Sequence, residues 1–149
     1  MRHIVVFDLD GTLSNGEHRL HLLPKGEDRN KDAAWAAFSL AAIDDTIIVD
    51  NVELLRTLAI HYDIIILTGR GAISQDITIK WLRENYIPYD RLIMRPIGDC
   101  RQDIEFKEAM LRQIGLGEIL CCFDDLKHVA NHIRSLGVTC HLVTDYEFV

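Results

Sequence analysis

The stretch IVVFDLDGTLS, Ile4 to Ser14, ends an apolar run with two aspartates one residue apart, Asp8 and Asp10. Two carboxylates this close repel, and burial raises the cost of ionising either. Something positive must therefore come to share them.

The run around them, HIVVFD (His3–Asp8), is the first of five strand-like segments. The others are DIIILT (Asp63–Thr68), RLIMR (Arg91–Arg95), EILCCFD (Glu118–Asp124) and VTCHLV (Val138–Val143). They are continuously apolar rather than alternating, as expected when helices cover both faces of a parallel sheet. Helical spacing fills Asn51–Tyr62, Ala72–Tyr86, Ile104–Ile114 and Leu126–Leu136 between them. Asn51 and Asp103 are candidate N-caps, and Gly115 and Gly137 candidate C-terminal glycines. The alternation predicts an α/β fold of βαβ units.

Residues 14–50 break the rhythm. SNGEHRLHLLPKGEDRNK reads as a polar loop or flap, and DAAWAAFSLAAI (Asp32–Ile43) as one amphipathic helix with Trp35 and Phe38 near its buried side. The insert is too short for a core of its own, so residues 1–149 read as a single domain with a small flap at about 14–50.

Composition bounds the rest. Hydrophobic residues at 48% against 26% charged indicate a folded chain, and a net charge of -7 argues against broad nucleic-acid binding through a basic surface. A small basic pocket for one phosphate remains compatible. No apolar run reaches the ~18 residues of a membrane span, and the N-terminus lacks a signal-peptide layout. Cys100, Cys121, Cys122 and Cys140 form no CxxC pair, which favours reduced thiols and a cytoplasmic setting over disulfides or zinc.

Strands of an open parallel sheet deliver their C-terminal residues to one edge, where ligands bind. Asp8, Thr68 and Asp124 each end a strand-like run, and Lys107 can reach the same edge. Taken singly, each has a bland reading: turn former, cap or solvated charge. Arriving together they predict a crevice of hard oxygen ligands suited to Mg²⁺ and a phosphate partner.

DLDGT (Asp8–Thr12), ILTGR (Ile66–Arg70), Lys107 and FDD (Phe123–Asp125) resemble, in order, the four motifs of the haloacid dehalogenase superfamily of phosphohydrolases. The resemblance implies a Rossmannoid three-layer sandwich with a five-stranded parallel sheet in the order 5-4-1-2-3, and a tight turn and flap after the first strand. It implies Asp8 as nucleophile, Asp10 as general acid and base, and Thr68 and Lys107 as phosphate ligands. Mg²⁺ would be held by Asp8, the Asp10 carbonyl, Asp124 and Asp125. Gly11, Thr12, Gly69, Arg70 and Arg101 are implied in substrate binding. The pKa of Asp10 is expected to be raised by neighbouring carboxylates, with Mg²⁺ pulling the other way.

A narrower resemblance joins TGR (Thr68–Arg70) to MRPIGDCRQDIEFK (Met94–Lys107) and RSLGVTCHLV (Arg134–Val143), similar to the 3′-phosphatase domain of bacteriophage-type polynucleotide kinase-phosphatases. The kinase P-loop pattern is absent. The short intervals between motifs leave no room for a large lid, which predicts an open site able to take the phosphorylated end of a larger molecule. Of the candidate clamps, Arg95 reads as a surface residue.

The substrate expected is therefore a nucleotide or polynucleotide 3′-phosphate. A mononucleotide phosphatase, with the flap closing over a nucleoside, is the alternative on the same chemistry. More distant alternatives are a phospho-accepting receiver domain and a non-catalytic binding module. Against the receiver stands Asp10, an acid/base beside the nucleophile. Against the module stand the intact acids.

Overall fold

In the computed structural model of the chain, which describes residues 1–144, the first apolar run forms β1 (Ile4–Phe7) and ends just before Asp8. Gly11 then turns the backbone at φ +78°, a conformation that side chains other than glycine rarely adopt. The N–H groups of Leu13 and Ser14 both donate to the Leu9 carbonyl, closing the tight turn that follows the motif.

The flap is built on β2 (Ser14–Asn15), which pairs antiparallel with β3 (Thr46–Ile47). Between them run 3₁₀ turns and one short helix, α1 (Ala36–Leu40). The single helix expected over Asp32–Ile43 is thus broken, with 3₁₀ turns at Asp32–Trp35 and Ala41–Asp44. At the C-terminal break the Arg19 guanidinium donates at 3.2 Å to the Phe38 carbonyl, the acceptor that the Ala42 N–H would use in a continuous helix.

The remaining elements alternate as the sequence predicts. They are α2 (Val49–Leu58), β4 (Asp63–Gly71), α3 (Gln75–Glu84), β5 (Arg91–Arg95), α4 (Asp103–Ile114), β6 (Ile119–Asp124), α5 (Lys127–Ser135) and β7 (Cys140–Leu142). The two N-cap expectations fail. Asn51 lies inside α2 and donates to the Thr12 carbonyl at 2.8 Å, while Asp103 is the first residue of α4 and accepts from Arg95. Both were drawn into tertiary contacts that outweigh a local cap. Gly115 and Gly137 do end α4 and α5 at positive φ.

The sheet order is β5-β4-β1-β6-β7, all parallel. Counting the five sheet strands alone and reading from β7, this is 5-4-1-2-3; the two flap strands only shift the labels. Alternate residues of the central strands feed two cores. Val5, Phe7, Ile64, Ile66, Cys121 and Phe123 face one side. Val6, Ile65, Leu67 and Cys122 face the other. Burial on both faces explains why these strands read as unbroken apolar runs. All four cysteines are free, and among the described residues no helix is long and apolar enough to cross a membrane.

Candidate active site

The C-terminal ends of β1, β4 and β6 meet at one edge, and Lys107 reaches it from the second turn of α4. Lys107 is buried and donates to Asp8 at 3.0 Å and to Asp124 at 2.7 Å. Carboxylate oxygens of Asp8, Asp124 and Asp125 lie within 4.8 Å of one another, and all three residues are buried. One ammonium among three buried carboxylates leaves an excess of negative charge. Burial pushes the Asp8 carboxyl well above the usual carboxylate range; Lys107 opposes this, and Asp124 and Asp125 add to it. A hard divalent cation suits this donor set, since it would offset the excess.

Asp10 points to different partners. Arg70 grips it with Nε at 3.2 Å and Nη2 at 2.5 Å, and Arg19 of the flap donates to the same carboxylate at 2.5 Å. Arg19 also forks onto Asp45 at 2.9 and 2.8 Å, and His18 closes on Asp45 at 2.7 Å. Burial pushes the Asp10 carboxyl up, but Arg70 and then Arg19 outweigh it and hold the group below the usual range. This corrects the sequence expectation of a raised value. The groups around Asp10 are guanidinium ions, not carboxylates.

Arg19 and Asp45 are missing from the sequence reading. An arginine and an aspartate 26 positions apart in a polar loop carry no pairing signal, and only the fold joins them. Both are buried, so Arg19→Ala leaves the Asp45 carboxylate only His18 and, at 3.6 Å, Arg70, and is expected to lower stability by about 1–3 kcal/mol. Urea unfolding checks this, and Arg19→Lys is expected to restore little because it cannot fork.

The other expected residues divide. Thr68 is buried at the end of the β4 core run, and its Oγ1 accepts from the Arg70 N–H at 3.0 Å. Thr12 is buried beneath Asp8 and donates to it at 3.4 Å. Gly69 makes room for the Asp103 carboxylate: a Cβ there would sit 2.3 Å from Asp103 Oδ1, so that side chain would have to shift. Arg95, read as a surface residue, instead braces the site: it donates to the Gly69 carbonyl at 3.0 Å and to Asp103 at 2.7 Å. Arg101 is part-exposed and forks onto Asp99.

A cavity of about 770 Å³ opens over Asp8, Thr68, Lys107 and Asp125. It is covered more than the short insert suggests. Leu23, Asn30, Trp35 and Phe38 of the flap line it, and Cys100 Sγ donates to the Asn30 carbonyl at 3.7 Å, joining flap to the β5–α4 loop.

A parallel sheet in this order, with acids and a hydroxyl at the strand ends and a lysine reaching them from α4, is the arrangement of a haloacid dehalogenase-type hydrolase. Solved structures share this fold. A haloacid dehalogenase-like hydrolase from Streptococcus pneumoniae superposes with a TM-score of 0.67 at 16% identity, over 93% of this chain and 83% of that one. A haloacid dehalogenase family enzyme from Bacteroides thetaiotaomicron, in complex with magnesium and inorganic phosphate, gives 0.55 at 15% identity, over 99% and 98%. More specifically, the chain belongs to the family of polynucleotide kinase PNKP phosphatase domains, whose sequence pattern matches residues 2–148. It is a phosphatase. A chain in the structure of the Pnkp1/Rnl/Hen1 RNA repair complex is 26% identical with a TM-score of 0.77, over 99% of this chain and 44% of that one. The present chain thus spans less than half of that relative's length. No curated protein matches the chain.

Proposed function

We propose that this phosphatase removes the 3′-phosphate from a nucleotide or polynucleotide end through an aspartyl phosphate on Asp8, with Mg²⁺ as cofactor. The observation that carries the reading is the convergence of Asp8, Lys107, Asp124 and Asp125 beneath a cavity that also admits Thr68, Asp10 and Arg70. Membership of the PNKP phosphatase-domain family, and similarity to a chain of an RNA repair complex, support a nucleic-acid end as substrate. The four free thiols suit a reducing, cytoplasmic compartment. The chain is treated as one domain with the flap at about 14–50.

An Asp8 oxygen attacks phosphorus while the bond to the nucleoside oxygen breaks, and Asp10 gives that oxygen a proton. Water then attacks the phosphorus, Asp10 takes its proton, and the Asp8–phosphorus bond breaks to release phosphate. Held ionised by Arg70 and Arg19, Asp10 is prepared for this second step. For the first step it must gain a proton, which becomes easier when the incoming phosphate competes for Arg70. Lys107, Thr68 and Arg70 offset charge on the phosphoryl oxygens. Asp8, Asp124, Asp125 and the Asp10 carbonyl would hold Mg²⁺, which supplies charge neutralisation that lets one anion approach another.

A mononucleotide phosphatase is the second reading, favoured by the contact between Asn30 and Cys100 that joins the flap to the β5–α4 loop along the cavity lining. A panel of 3′-phosphorylated mono-, di- and longer oligonucleotides separates the two. Because the chain carries a net charge of -7, kcat/KM is expected to level off beyond about two or three nucleotides, with a shallow salt dependence. Efficient turnover of free mononucleotides without turnover of 3′-phosphorylated ends would favour the second reading.

A further inference from the structure

The cavity has a chemical end, described above, and an apolar end that the reaction does not use. Trp35 and Phe38 of the flap stand there in edge-to-face contact, ring centroids 5.7 Å apart. Neither ring is loosely placed. The Trp35 indole N–H donates to the Arg29 carbonyl at 2.9 Å, and the Arg19 guanidinium lies 4.3 Å from the Phe38 ring centroid. Since Arg19 also binds Asp10, the aromatic pair is tied to the catalytic end. Two isoleucines from different loops complete the lining: Ile73 after β4, 47% exposed, and Ile97 after β5, 75% exposed.

Leaving two isoleucines in water on a cavity wall forgoes burial that a ligand can recover. An occupant must join a phosphate at one end to a flat, weakly polar body at the other. Arg29 and Arg101 also line the cavity, and a guanidinium beside a ligand favours an electron-rich aromatic ring over an aliphatic chain. The volume of about 770 Å³ lies within the range of about 300–1,000 Å³ that encloses one small ligand.

We infer that the apolar end is a subsite for the nucleobase of the terminal nucleotide, which lies against the Trp35–Phe38 pair and the Ile73 and Ile97 side chains and is accepted whatever its identity. The inference rests on the nucleotide 3′-phosphatase reading. It adds that the enzyme grips the base by area and stacking, because every base has a π-face.

The test compares kcat/KM for the four nucleoside 3′-phosphates with that for the matching abasic sugar 3-phosphate. Wild-type enzyme is expected to prefer the nucleotides by on the order of ten- to a hundredfold, as stacking of one base allows, and to treat the four bases alike within about fivefold. Ile97→Ser, at a position too exposed to endanger folding, and Trp35→Ala are each expected to shrink the nucleotide-to-abasic ratio. An abasic ester turned over as well as the nucleotides overturns the subsite while leaving the phosphatase reading intact. A preference above fiftyfold for one base overturns recognition by area. Unchanged ratios in both variants place the base elsewhere. If no 3′-phosphate is hydrolysed while other phosphate esters are, the substrate reading itself falls.

Discussion

Asp8→Asn is expected to lower kcat for an aryl phosphate by on the order of 10⁴–10⁶, the scale at which losing a nucleophile leaves only residual binding and electrostatic catalysis. The amide cannot form the phosphoryl ester, and the acids Asp10 and Asp124 are held by other partners. Asp10 is committed to Arg70 and Arg19, Asp124 to Lys107 and the Leu126 N–H. The fold is expected to survive, because an amide oxygen still accepts from Lys107, and neutralising one of three crowded carboxylates relieves repulsion. Circular dichroism with steady-state kinetics checks both halves. Turnover near wild type would exclude the covalent route.

Chelation is expected to be nearly as severe. In buffer freed of divalent ions by EDTA, activity should fall by at least about 100-fold and return with Mg²⁺ or Mn²⁺. Asp8 and Asp124 share Lys107 and crowd against Asp125, so a phosphate dianion approaching these acids is expected to need an added cation. Losing a group that merely orients a metal ligand costs about 10–100-fold in metal affinity, so Asp124→Ala should raise the Mg²⁺ requirement further than that. A second readout is independent of turnover. Mg²⁺ at 100 times its Kd should stabilise the folded chain by about 2.7 kcal/mol, seen as a rise in Tm. Full activity after chelation would remove the metal from the mechanism.

Much of this was legible in one dimension. The five parallel strands were readable because strands buried on both faces must be apolar without alternation, and the helices because their apolar positions recur at helical spacing. The flap was harder. Asp32–Ile43 has the composition of one helix, yet its Phe38 carbonyl is taken by an arginine from another turn. Local propensity cannot register a competitor that arrives through space. Asn51 and Asp103 show the same limit: each is a good cap by residue type, and each was drawn to a partner outside its helix.

The sequence by itself determined which residues meet at the sheet edge. Strand ends in a parallel sheet deliver Asp8, Thr68 and Asp124 to one edge whatever the loops do. Tertiary structure alone decided the state of Asp10. Read along the chain, its nearest charged neighbour is Asp8, which predicts a raised pKa. In the folded protein its contacts are Arg70, 60 positions away, and Arg19, nine positions away across the flap turn, and they hold it ionised. Coulomb energy depends on distance in space, and sequence separation fixes that distance only for the nearest residues.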